Sequence, residues 1–445
     1  MVEEARKLRK ALSLLDVTSI IAGIVVGAGL FVVTGIAAKT AGPYVWVSYL
    51  IGAIPVVLIG LTTVSLSSFY PVEGGSYVYP SRILHPFAGW LSGWGMWMAI
   101  IGPVCITAMA FIQYLNKIPG IAPVSVVGGA CIVTVIFFFI NYFGVKLMAR
   151  VQNVLFIFLV VGTLIFCFWG LPHVSSANLH LASPAGIGGV VAAASLLIFS
   201  YSGITIATDI GEEVADPKIL PRAVMLAVII PVVLYVFSSF VCVGLIPWDK
   251  FAASGAPFAE AAEHAMGPAG LIFIIVVAWA AVLTSTNAEQ ATAARVAFGL
   301  SRDRIIPGMA RINKHGIPDL ALIVGDLIAI FLITTGTIEQ VARIVVCAFL
   351  LEWIMFHLSV LRLPKKYPDM YRETKFWKLD GWKIALPIIG LGISIYFFIL
   401  EGPVAIGYFA AWLAIGSIGY FVGVSKNKSE ITELVKEWPR ERYLR

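Results

Sequence analysis

The chain has 445 residues, 59% of them hydrophobic and only 13% charged, with a mean hydropathy of +0.92 and a formal net charge of +6. A soluble domain carries about 45–50% apolar and about 25% charged residues, and soluble cores rarely grow to this length. The composition therefore excludes a disordered chain, a nucleic-acid binder and a secreted disulfide scaffold, and it predicts an all-α integral membrane protein surrounded by lipid.

In chain order, residues 1–13 form a charged N-terminal segment with no cleavage pattern of a secretory signal. Twelve apolar stretches follow, each near the roughly 20 residues needed to cross the hydrocarbon layer. The first six run over 14–38, 44–66, 88–115, 124–143, 148–171 and 188–211. The second six run over 222–246, 269–298, 318–335, 337–361, 383–401 and 403–423, and a polar tail, 424–445, is expected as a short surface helix or partly disordered. Lys and Arg set the orientation, because cytoplasmic loops are enriched in them. With the N-terminus inside, the cytoplasmic segments hold 27 of the 31 basic residues and the outer loops hold three (Lys39, Lys117, Lys250), with Arg343 inside a span. A multi-pass protein of the plasma membrane with both termini in the cytoplasm is expected. Cys105, Cys131, Cys167, Cys242 and Cys347 all lie in apolar stretches without a CxxC, which fits space-filling thiols.

Two of the stretches are predicted to break. The first contains Gly23-Ile24-Val25-Val26-Gly27-Ala28-Gly29, and the sixth contains Phe199-Ser200-Tyr201-Ser202-Gly203. Each Gly weakens a helix by about 1 kcal/mol relative to Ala, and backbone freed at membrane depth must pack inside protein or line a cavity. The two are five positions apart in the order of spans, an odd offset, so they run in opposite directions. That places 14–171 and 188–362 as two five-helix repeats of inverted topology, with 383–423 as two extra helices. Interrupted helices at matching places in two halves point to a transporter site. Opening the first span exposes the amides of Gly27, Ala28 and Gly29 at the start of a half-helix, a site for a carboxylate. Opening the sixth exposes carbonyls around Phe199, Ser200, Tyr201, Ser202 and Gly203 that can accept from an ammonium group. A molecule with both groups is an α-amino acid.

These segments resemble the amino acid–polyamine–organocation transporter superfamily. The resemblance rests on Gly27-Ala28-Gly29-Leu30-Phe31, on Ala41-Gly42-Pro43, and on Pro71-Val72-Glu73-Gly74-Gly75-Ser76-Tyr77-Val78-Tyr79. It continues through Glu212-Glu213-Val214-Ala215-Asp216-Pro217 with Pro221-Arg222-Ala223, and through Asn287, Arg295, Arg302-Asp303 and Pro307. It implies twelve helices with a five-plus-five inverted repeat, alternating access, and amino acids or related amines as small-molecule substrates. It also implies that Phe199 gates the substrate. Two positions depart from the pattern: Leu159 stands where some proton-coupled members have a lysine, and Thr205 where arginine and polyamine antiporters often have a glutamate.

An ionisable residue at membrane depth is a functional candidate. Glu289, near Asn287 midway along the eighth span, is expected either to carry a coupling proton or to pair with a cationic substrate, with a structural hydrogen bond as the alternative. Gly23 and Val26 carbonyls with Thr284 and Ser285 hydroxyls resemble the sodium site of distant relatives. Asp326 and Arg343 are expected at similar depth as a buried ion pair. Asp209, Glu212, Glu213, Glu352 and His357 are read as hydrated, gating or packing groups. No catalytic cluster, metal-ligand set or cofactor motif stands out, so the reading is a secondary transporter rather than an enzyme or channel. Its substrate is a neutral amino acid, a cationic amino acid or a polyamine. It is driven by protons, exchange or sodium, as a monomer or homodimer.

Overall fold

A helix interrupted at membrane depth needs partners for the backbone it frees, and the fold is organised around two such helices. The computed structural model describes residues 13–27, 29–70, 72, 74–143, 148–180, 182–208, 214, 216, 219–302, 308–309, 311–313, 317–374 and 378–437. Among them the regular structure is helical. In order, α1 (Leu14–Val25), α2 (Thr34–Ala41), α3 (Val45–Phe69), α4 (Gly75–Tyr79) and α5 (Pro86–Leu115) are followed by α6 (Val126–Phe143), α7 (Met148–Gly170) and α8 (Ser176–Leu179). Then come α9 (Gly186–Leu197), α10 (Leu220–Leu245), α11 (Trp248–Ala253), α12 (Pro257–Arg302), α13 (Asp319–Thr335), α14 (Ile338–Lys366), α15 (Pro368–Glu373), α16 (Ala385–Leu400) and α17 (Gly402–Glu437).

Nine helical runs among the described residues are long and apolar enough to cross a membrane, and the first, Leu14–Phe69, covers two of the predicted stretches. The predicted spans match helix ends to within a few residues where a helix is unbroken. Two differences have physical causes. α12 begins well before 269, because Pro257–Met266 is a separate amphipathic piece joined across Gly267 at φ +66°. α17 continues without a break to Glu437, so the backbone at the start of the polar tail is a helical extension of the last span.

The longest shared surfaces are those of α5 with α12 and α14, and α12 also packs on α7. α1 lies against α7, α10 and α12, while α2 lies against α9 and α11. Ser13 starts α1 with a capping box, its hydroxyl accepting from the Asp16 amide and its own amide donating to Asp16. The cysteines are all unpaired, four of them buried and Cys131 half-buried.

Candidate substrate site at the broken helices

Both expected breaks are present. α1 ends at Val25, and Val26 leaves helical geometry at φ −87°, ψ 80°. The chain re-enters through a π-helical turn, Gly29–Val33, before α2. In the second element α9 tightens into a 3₁₀ turn, Ile198–Tyr201, and Ser202 is extended at φ −59°, ψ 142°. Gly203 follows at φ +105° and a second 3₁₀ turn covers Ile204–Thr208. A side chain on Gly203 would be strained whatever the space around it.

The two breaks touch. A Cβ at Gly29 would lie 2.6 Å from Ser200 Cα, closer than real Cβ atoms approach. A Cβ at Gly27 would strike the Ser285 hydroxyl of α12, and one at Gly203 would meet Ile24 and Val25. Gly27, Gly29, Phe199, Ser200, Tyr201, Ser202 and Gly203 are all buried. Ala28 lies outside the described residues, as do Asp209, Glu212 and Glu213.

Tyrosine hydroxyls take up the freed carbonyls. Tyr235 on α10 donates to Val25 O at 2.6 Å and lies 2.7 Å from Ser200 O, bridging the two broken elements. Tyr49 on α3 reaches Gly29 O and Ser200 Oγ, both at 3.3 Å, and Thr34 Oγ1 at 2.6 Å. Tyr114 on α5 donates to Phe31 O at 2.7 Å, and Tyr201 donates to Tyr49 O at 3.0 Å. Phe199 O accepts the Ser202 amide at 3.1 Å. Of these tyrosines, sequence reasoning singled out only Tyr201. Tyr49, Tyr114 and Tyr235 sit in continuous apolar stretches, where a lone Tyr gives no signal of which carbonyl it will meet.

The sequence matches the amino acid permease family over residues 16–426. The chain belongs to that family. The permease is 28% identical, over 96% of both chains, to the branched-chain amino acid permease of Bacillus subtilis (strain 168). It is 27% identical, over 94% of both, to the methylthioribose transporter of the same organism, and 30% identical, over 73% of both, to an uncharacterized transporter of Mycobacterium bovis. It is a multi-pass membrane protein of the amino acid–polyamine–organocation superfamily.

Around the breaks of this permease, Ser285 Oγ lies 3.3 Å from Gly23 O, while Thr284 bonds back to Ala280 O and Ala281 O of its own helix at 2.8 Å each. Of the four groups expected around a cation, the structure thus joins Gly23 to Ser285, while Thr284 donates to its own helix. Glu289 stands one turn further along α12, about 6 Å by helical rise. It is 4% exposed, beside Thr107 of α5, and its Oε2 has no hydrogen-bond partner among the described residues. Half-buried Asn287 has an unpartnered Oδ1 in the same sense. Thr205 donates to buried Glu352 at 2.8 Å, and Leu159 is fully buried.

The expected Asp326–Arg343 pair does not form. Arg343 contacts Glu339 at 3.1 Å and Glu401 at 3.3 Å, and buried Asp326 keeps Oδ2 without a partner among the described residues. Equal depth does not fix lateral placement: α13 packs chiefly on α5, α6 and α12, while α14 packs on α5, α16 and α17.

Proposed function

We propose that this permease is a secondary active transporter that carries a neutral α-amino acid with an apolar side chain across the plasma membrane by alternating access. One observation carries the reading: the backbone of the two broken helices meets at one buried contact, Gly29 against Ser200, and beside it Gly27 lies against Ser285 of α12. Amides of 27–29 at the start of a half-helix attract the substrate carboxylate. Carbonyls of 199–202 take the ammonium through the lone pair left over after the internal bonds, since each carbonyl has two.

The side chains that border the breaks, Ile24, Val25, Phe199, Ser200 and Ser285, carry no charge, which suits an apolar rather than a cationic side chain. The branched-chain specificity named for one Bacillus subtilis relative agrees with this. The spans group as two inverted repeats, 14–171 and 188–362, with both termini cytoplasmic. Glu289 carries the coupling proton.

Uptake of labelled leucine into proteoliposomes, with unlabelled leucine, valine, arginine, putrescine and methylthioribose as competitors, tests the proposal. Competition by leucine and valine alone is the expected result. Absence of saturable leucine uptake together with transport of labelled arginine or putrescine would assign a cationic substrate instead, and transport of labelled methylthioribose alone would mean that no substrate carboxylate is needed.

A further inference from the structure

Helices α16 and α17 lie outside the two repeats, yet the turn between them sends a carboxylate into one of the broken elements. Glu401, the residue joining α16 to α17, is 3% exposed. Its Oε1 lies 2.5 Å from Ser195 Oγ, and its Oε2 accepts from Arg343 Nη1 at 3.3 Å. The Ser195 hydroxyl also lies 3.1 Å from Phe397 O of α16, so one proton is shared between two acceptors. Ser195 sits on α9, three residues before the 3₁₀ turn at the break. The sequence of α9 is GIGGVVAAASLL, in which Ser195 is the one side chain able to hydrogen-bond. Ser195 is thus its one polar side chain, held by a buried carboxylate, while farther from the break the Val190 carbonyl of α9 accepts from Ser48 of α3 at 2.8 Å.

The other end of this connection is fixed. α17 is clasped to α5 by indoles that exchange backbone bonds, Trp94 Nε1 to Trp412 O and Trp412 Nε1 to Trp94 O, both at 2.9 Å, with the two rings stacked at 4.7 Å. Trp90 Nε1 adds a bond to Gly416 O at 2.9 Å. α5 in turn packs on α12 and α14, and Arg343 of α14 holds Glu401 from the far side. Glu401 thus joins the unbroken frame to the half-helix that the alternating-access reading requires to move.

We propose that Glu401 is a positioning residue that latches α9 closed through Ser195, and that α16 and α17 serve transport by presenting it. The latch rests on the proposed function only for its consequence in the cycle; the physical coupling stands apart from the substrate. A carboxylate without Ser195 keeps Arg343, while without Glu401 the serine keeps the weaker Phe397 carbonyl and Arg343 keeps Glu339, so both Ser195→Ala and Glu401→Leu release α9 without stranding a charge on it.

Amide hydrogen exchange of the full chain in lipid bilayers, without substrate, tests the coupling. Each variant is expected to speed exchange in peptides from 186–197 by at least about threefold while α10 stays unchanged. The double variant is expected to go no further than the single ones, as residues acting through one contact do. Leucine uptake is expected to show a lower external KM together with a lower Vmax, because a freed α9 favours the side open to substrate and resists closure. Unchanged exchange in 186–197, additive effects in the double variant, or an unaltered KM in both single variants would overturn the latch. Ser195→Ala keeps the test available if Glu401→Leu fails to fold. Absence of leucine uptake by the unaltered protein would sink the proposed function instead, and the exchange experiment would still decide the latch.

Discussion

At the scale of single residues, the breaks depend on atoms that are missing as much as on atoms that are present. Gly29 has Ser200 backbone where a Cβ would go, whereas Gly27 has only a serine side chain there, which can rotate. Gly29→Ala is therefore expected to lower thermal stability in detergent by about 1–3 kcal/mol and to abolish uptake, through overpacking against backbone that cannot yield. Gly27→Ala is expected to cost less in the same unfolding measurement. Tyr235 is a second single-residue case, since one hydroxyl serves Val25 O and Ser200 O together. Tyr235→Phe keeps the ring but removes the one proton shared between Ser200 O and Val25 O, the latter keeping the Gly27 amide at 3.1 Å, a loss of about 1–3 kcal/mol. Its Vmax is expected to fall while expression and membrane insertion persist. Equal stability and equal uptake in this variant would remove the tyrosine from the account.

At the scale of elements, each half-helix is held by neighbours that themselves stay regular. α1 is tied at its start to α7 by Asn153, which donates to Asp16 at 2.9 Å and accepts from Ser19. α12 is bent at Gly267, and the piece before the bend is fastened to the loop after α5 by Lys117, which meets Glu260 at 2.7 Å. Ser254 adds a donor to the same carboxylate at 2.6 Å. That fastening exists only while Glu260 is ionised. Its contribution is present at neutral pH and fades as acid protonates the carboxylate. The melting temperature of the unaltered protein is expected to fall more steeply than that of Glu260→Gln as pH drops through the carboxylate range. Parallel curves for the two proteins would show that the bend needs no such tie.

At the scale of the whole molecule, coupling means that one buried group changes its exposure when the two halves of the fold exchange sides. Glu289 is placed for this on the proposed reading: it is buried, one oxygen lacks a partner among the described residues, and it stands a turn away from the contact between Ser285 and broken α1. Replacing it by Gln removes the titration while keeping shape and hydrogen-bonding capacity. Glu289→Gln is expected to retain exchange of internal for external leucine but to lose uptake driven by an imposed proton gradient. Gradient-driven uptake that survives the substitution would move the coupling proton to another residue.

The sequence by itself determined the membrane class, the helical stretches and the two places where helices break, because hydropathy, helix length and glycine content are properties of local chain in a fixed solvent. It also put Gly27, Gly29, Phe199 and Ser200 on the page, since a broken helix at depth leaves few options for the freed backbone. Only tertiary structure decided which partners meet. Arg343 and Asp326 matched in depth but not in lateral position, and depth alone cannot choose among the helices around an axis. The tyrosines that satisfy the freed carbonyls, and the carboxylate that reaches Ser195 from the turn between α16 and α17, join residues up to about two hundred positions apart. Such pairs are fixed by how whole helices pack, and no local pattern in the chain encodes them.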